Sequence, residues 1–300
     1  MATGIDIGSN SLRAVRIDCK SKEKLAEYEK VVRTAENLHS SGTISTAAIE
    51  RIIAALQEAK KQIGFDLPLK AVATAAFRKA KNSKEVVKAI KEATSIEVEI
   101  IDEEQECYYS LKGVEYALSR GFRYLDKFGA IDIGGASTEI MIKHKNRILC
   151  QSFPLGILTI IQRYKTKEAI LFGIKKEIAK IKEFFNDAYK IFGKPKILAA
   201  TGGTPTTVAA MKLGLDFATY SAKRVSLQRI DAKDIQDSWQ KLSLLDSKTR
   251  AKIVGVGRED AILAGIVILE ELLYCSGFKE FVVVDEGVRE GVALTLCESK

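Results

Sequence analysis

The first hydrophobic run of the chain, GIDI from Gly4, carries a single acid, Asp6. It breaks at once into Gly8, Ser9, Asn10 and Ser11, and an extended apolar pattern resumes at Leu12, Ala14, Val15 and Ile17. This order of apolar run, small polar turn and apolar run predicts a β-hairpin. The pattern returns at AIDIGGASTEI, 130–140, where Asp132 stands 126 residues after Asp6 and Ile140 and Ile142 continue the second strand. The chain therefore reads as two related halves. Around the hairpins the apolar spacing predicts helices near 44–63, 83–94 and 103–119 and strands near 69–74 and 97–101. In the second half it predicts a long helix after Ile157, a strand at 196–200, further helices, a strand at 281–284 and a terminal helix. Within the long helix, Lys and Glu lie opposite a stripe of Ile178, Ile181, Phe185 and Phe192. Alternation of this kind gives α/β layers. A length of 300 residues exceeds what one core usually reaches, so two domains sharing an interdomain cleft are expected.

A glycine-rich turn between two strands differs from a Rossmann or Walker loop, in which the turn opens a helix whose dipole receives the phosphate. In a hairpin an anion meets consecutive backbone N–H groups arranged as a concave nest. Gly8, Gly134 and Gly135 are expected to supply both the backbone angles and the close approach that a larger side chain obstructs. Asp6 and Asp132 then sit at strand ends beside the two nests. Facing each other across the cleft, the loops can hold one phosphate chain and its Mg²⁺, a hard cation that takes carboxylate, phosphate and water oxygens. Glu139, two residues after Ser137, returns by alternation to share that cation with Asp132; an exposed strand acid is the alternative.

Composition narrows the partners. The hydrophobic fraction of 46% and charged fraction of 29% are those of a globular protein. A net charge of +8 fits an anionic partner or a lysine-rich solvated surface equally well, and no nucleic-acid-binding module is recognisable. No apolar stretch approaches a membrane span and no leader precedes the first strand, so no membrane association and a cytoplasmic location are expected. The five cysteines lack CxxC spacing and are expected to be reduced, mostly buried thiols; with His39 and His144 as the only histidines, a histidine-rich metal centre is not expected.

The quoted motifs resemble those of the exopolyphosphatase and guanosine pentaphosphate phosphohydrolase (Ppx/GppA) family, within the actin, Hsp70 and sugar-kinase superfamily. GIDIGSNSLR is similar to its first phosphate loop, and AIDIGGASTE, with Ala136, Ser137 and Thr138, to its second. ATAAFRKAKN, holding Arg78 and Asn82, resembles its arginine motif, and IIDEEQECYYSLKGVEY its catalytic-glutamate helix. ATGGTPTTVAA, GREDAILAG and VDEGVREGVAL follow in the family's order. The resemblance implies two RNase H-like (actin-like ATPase) domains, 1–119 and 120–285, with a terminal helix over 286–300 packing back on the first. The chain stops soon after Val292, which corresponds to a short, two-domain form.

The reaction so implied is hydrolysis of a terminal phosphoanhydride, with Glu106 activating water. Asp102 is expected to cap the Glu106 helix with Gln105 reciprocating, while the small Ser110 and Gly113 on nearly the same face leave room for the water. Arg78, in an otherwise small and apolar stretch, is expected to reach the terminal phosphoryl group, a structural ion pair being the alternative; Asn82 supports the same loop. Asp132 and Glu139 hold Mg²⁺, or Mn²⁺ in its place, with help from Asp6. Arg13, Arg258 and the third glycine-rich stretch, Gly202, Gly203 and Thr204, are candidates for distal phosphates or a nucleotide. The implied substrates are inorganic polyphosphate and guanosine penta- or tetraphosphate; a homodimer is left open. Ala136 replaces the family's third loop glycine, Gln105 replaces an acid, and YSAKRVSLQRI lacks the usual histidine. Ala136 and Gln105 keep open a catalytically weak (p)ppGpp-binding regulator, and the superfamily resemblance keeps open a kinase that transfers phosphate to a bound acceptor.

Overall fold

The computed structural model describes residues 1–123, 125–164 and 166–298. The chain divides into two compact units, one of Met1–Gly113 with Gly287–Lys300 and the other of Val114–Glu286. The first opens with β1 (Ala2–Ile7), β2 (Ser11–Ile17) and β3 (Lys24–Val31), followed by α1 (Leu38–Ser41), α2 (Thr46–Ile63) and β4 (Leu69–Ala73). Then come α3 (Ala75–Lys79), α4 (Ser83–Thr94), β5 (Val98–Ile100) and α5 (Glu103–Ser119), within which the division after Gly113 falls. The sheet order is β3-β2-β1-β4-β5, with β1, β2 and β3 antiparallel and β4 and β5 parallel to β1. Parallel neighbours need crossovers, which the helices provide. Helix α2 begins where the Ser45 hydroxyl accepts from the Ala48 N–H at 3.2 Å and buries Ala48, Ile52, Ala55, Leu56, Ala59 and Ile63.

The second unit repeats the arrangement. Its elements are β6 (Lys127–Ile133), β7 (Thr138–His144), β8 (Arg147–Phe153), α6 (Ile157–Arg163), α7 (Lys167–Phe192), β9 (Leu198–Thr201), α8 (Gly203–Lys212) and α9 (Ala222–Val225). They continue with β10 (Arg229–Asp231), α10 (Ala232–Ser243), α11 (Ser247–Val254), α12 (Ile262–Ser276) and β11 (Glu280–Val283). The order β8-β7-β6-β9-β11-β10 reproduces that of the first sheet and adds antiparallel β10 at the far edge. Both sheets thus have the RNase H-like order. Ile178, Ile181, Phe185 and Phe192 of α7 are buried in this unit's core, with Ile131, Ile140 and Leu269.

The last helix, α13 (Val288–Glu298), belongs with the first unit. A Cβ at Gly4 on β1 would collide with the Arg289 carbonyl, so only glycine permits this helix to lie so close to the strand. The Arg289 guanidinium is buried between Glu290 (Nε to Oε1, 2.7 Å) and Glu27 of β3 (Nη2 to Oε2, 3.0 Å). A disulfide joins Cys19, just beyond β2, to Cys297 in α13.

Four expectations change. The cysteines are not all reduced, because the fold brings Cys19 and Cys297 together across a sequence separation of 278. The helix after Ile157 is two helices, α6 ending at Arg163 and α7 capped by the Thr166 hydroxyl on the Ala169 N–H. Strands β3, β8 and β10 were not in the apolar pattern; each lies at a sheet edge, where KLAEYEKV and RILCQSF carry many polar residues. Gly8, Gly134 and Gly135 are not among the positive-φ residues, so unusual backbone angles are not the reason for glycine there.

Gly4→Ala is expected to lower stability by about 1–3 kcal/mol, the usual cost of overpacking. Urea unfolding of the full chain checks this.

Candidate phosphate and metal site residues

Both hairpin turns are held from outside by their carbonyls. In the first, the Ser9 carbonyl accepts from the Ala35 N–H (2.9 Å), and that of Asn10 accepts from Val32 (2.9 Å) and Arg33 (2.8 Å). In the second, the Gly134 carbonyl accepts from Ile157 (3.1 Å) and that of Gly135 from Leu158 (2.8 Å) and Thr159 (3.2 Å), all at the start of α6. The Thr159 hydroxyl donates to the Ala136 carbonyl at 3.1 Å. In a planar trans peptide the C=O and the following N–H point in opposite directions. Anchoring these carbonyls therefore turns the N–H groups of Asn10 and Ser11, and of Gly135, Ala136 and Ser137, to the other side of each turn. That is the geometry of an anion nest. Glycine favours the close approach: a Cβ on Gly8 would lie 3.2 Å from the Ser11 carbonyl oxygen, and one on Gly134 3.1 Å from that of Ser137, both tight contacts. Thr138, fully buried, locks the second turn through its hydroxyl to the Leu155 carbonyl at 2.5 Å.

Beside the turns the two halves have diverged. In the first unit Asp6 stands directly opposite Arg13, and Arg13 opposite Glu29, to which its guanidinium donates at 3.3 Å. In the second, Asp132 stands opposite Glu139, Glu139 opposite Ser152, and Asp132 also pairs with Thr201 on parallel β9. Directly opposed residues project from the same face with Cβ atoms about 5 Å apart. Ser152, Glu139, Asp132 and Thr201 thus form one polar row across four strands. Its two adjacent carboxylates, Asp132 and Glu139, stand where the first unit has Asp6 beside Arg13. Among the described residues no group of three or more His, Cys, Asp or Glu is placed to hold a metal ion. Mg²⁺ does not require one: it takes one or two carboxylates and completes its shell with waters and substrate phosphates. The Asp132–Glu139 pair fits that donor set, and the Ser152 hydroxyl donates to Glu139 Oε1 at 2.8 Å.

Glu106 and Arg78 are brought together in the first unit. Arg78 Nη1, on the short helix α3, donates to Glu106 Oε2 at 2.7 Å and to the Ile101 carbonyl at 2.9 Å. Their side chains are 19% and 11% exposed, so each charge is partnered by the other away from bulk water. The α5 cap is the expected reciprocal pair: Asp102 Oδ1 accepts from the Gln105 N–H at 2.8 Å, and Gln105 Oε1 accepts from the Asp102 N–H at 3.2 Å. Gln105 therefore does in the cap what an acid would do there. The expected room for water beside Gly113 is absent, because a Cβ at Gly113 would collide with the Gly287 carbonyl; its smallness serves backbone packing, and Ser110 is fully buried.

The remaining candidates divide. The Asn82 amide clamps Ile44, donating to its carbonyl and accepting from its N–H, both at 2.9 Å, and so supports the loop before α2. Gly202, at φ +104°, lies so close to the end of β6 that a Cβ would be 2.5 Å from the Ile133 carbonyl oxygen. Arg258 packs against Gly203, its Nη1 lying 3.6 Å from where a Cβ would be, and Thr204 is buried one residue further into α8. Ser152, Thr201 and Arg33 escape sequence reasoning. The first two emerge only from strand register, and Arg33, at φ +50°, from its N–H contact with Asn10.

Duplicated sheets of this order, each opening on a hairpin with an acid at the end of its first strand, define an α/β protein of the RNase H-like class. The sequence profile of the Ppx/GppA phosphatase family matches residues 15–300, and the chain belongs to that family. It is 25% identical to exopolyphosphatase 2 of Mycobacterium tuberculosis, over 97% of each chain. It is also 25% identical to a bifunctional 3-dehydroquinate synthase/phosphatase of Fusobacterium nucleatum, matching over 95% of its own residues but spanning only 45% of that protein's length. A solved structure of the Ppx-GppA enzyme of Aquifex aeolicus superposes with a TM-score of 0.75 at 27% identity, over 98% of each chain.

Removing the α5 cap by Asp102→Ala is expected to cost about 1 kcal/mol of stability, measured as a lower urea midpoint at unchanged slope.

Proposed function

We propose that the chain is a Mg²⁺-dependent phosphoanhydride hydrolase that releases terminal phosphate from inorganic polyphosphate or from the 5′-triphosphate end of guanosine pentaphosphate. The observation that carries this reading is the pair of outward-turned N–H nests, each beside strand-end acids, in a chain of the Ppx/GppA phosphatase family. The exopolyphosphatase name of a relative matched over its whole length supports polyphosphate as substrate.

In this reading the nests, with Ser9, Ser11, Ser137 and Thr138 around them, bind non-bridging phosphate oxygens. Asp132 and Glu139 hold Mg²⁺, which when bound offsets charge on the phosphate chain. Arg78 holds the Glu106 carboxylate in one orientation while its guanidinium offers further donors to the terminal phosphoryl group. Glu106 orients a water in line with the bridging oxygen and takes one of its protons. The water oxygen bonds to the terminal phosphorus as the P–O bond to the leaving phosphate breaks.

Phosphate release from long-chain polyphosphate and from guanosine pentaphosphate, measured side by side with Mg²⁺, tests the proposal. Glu106→Gln is expected to lose at least about a hundredfold in kcat, the range of a lost general base. Excess EDTA should abolish release and added Mg²⁺ restore it. Tight guanosine tetraphosphate binding with no phosphate release from either substrate would identify a regulator and end the hydrolase reading.

A further inference from the structure

We propose that Ser152 is a positioning residue for the cation, its hydroxyl fixing the Glu139 carboxylate in the orientation that Mg²⁺ requires; this rests on the metal reading of Asp132 and Glu139. Glu139 is 3% exposed, so its carboxylate depends on hydrogen bonds from the protein. Ser152 supplies one of them, Oγ to Oε1 at 2.8 Å, from the directly opposed position on edge strand β8.

The donor's chemistry suits the task. A carboxylate has about four lone-pair positions, and a hydroxyl occupies one of them without bringing a positive charge. A lysine or arginine at this position would instead compete with the cation. The first unit is built differently: Arg13 occupies the place of Glu139 and pairs with Glu29, which stands where Ser152 does, so an internal ion pair fills these two positions. Mg²⁺ tolerates little departure from octahedral geometry, so a carboxylate free to rotate about its last bond would bind it less well. Partners of this kind typically contribute 10- to 100-fold in metal affinity.

Thr and Val are isosteric and both favour strands, so they separate the hydroxyl from the packing. Mn²⁺ binding to the full chain, read by electron paramagnetic resonance without substrate, is compared for native protein, Ser152→Thr, Ser152→Val, Ser152→Ala and Glu139→Gln. The expected result is affinity within about threefold of native for Ser152→Thr and a loss of about 10- to 100-fold for Ser152→Val and Ser152→Ala. Circular dichroism should show an unchanged fold in all of them. Native-like Mn²⁺ affinity in Ser152→Val, with binding lost in Glu139→Gln, would overturn the role of Ser152 and leave the metal reading intact. Native-like affinity in Glu139→Gln, or no Mn²⁺ binding by the native chain, would remove the metal reading and the role of Ser152 with it.

Discussion

The anchoring of turn carbonyls by neighbouring backbone is the constraint on which the candidate site depends. A two-strand turn has no helix dipole to offer an anion, and its peptide groups could face either way. The choice is made outside the turn: by residues 32–35 for the first hairpin and by the first turn of α6 for the second. Gly156 belongs to this arrangement, since a Cβ there would collide with the backbone of Ala136. The methyl group of Ala136 is accommodated at a buried position, so the departure from a third loop glycine leaves the turn's hydrogen bonding in place.

Duplication supplied two copies of one scaffold, and single substitutions in one cross-strand row gave them different chemistry. The acid at the end of the first strand is common to both. Its neighbour is Arg13 in one and Glu139 in the other, and the next position outward is Glu29 or Ser152. In one row a base sits between two acids and pairs with Glu29, whereas in the other two acids stand side by side with no base between them, an arrangement that suits a cation.

Much of this fold could be read from the chain because the first strand of each sheet is an apolar run carrying an acid near its end, the strands beside it are largely apolar, and its helices bury clean stripes. The helix predicted over 103–119 spans Glu103–Ser119, and its Asp102–Gln105 cap is as the sequence indicates. Edge strands β3 and β8 were illegible for the opposite reason: they carry many exposed polar residues, and their identity comes from pairing with β2 and β7, whereas edge strand β5 is where the apolar pattern puts it. Ser152 was hidden with them, since nothing local marks a serine as the partner of an acid thirteen residues earlier. Gly113 misled because a small residue signals either an opening or a close contact, and only the approach of Gly287 decides between them. Arg78 was ambiguous between phosphate ligand and ion-pair partner; its partner is the other candidate, Glu106.

The Cys19–Cys297 link has a topological consequence. The bond closes the segment between these two residues, a sequence separation of 278, into a covalent ring. A protease that severs one exposed loop of such a ring opens the circle but liberates no fragment. Both newly made ends stay tethered to a single molecule, and a second cut or a reductant is required before any piece can diffuse away.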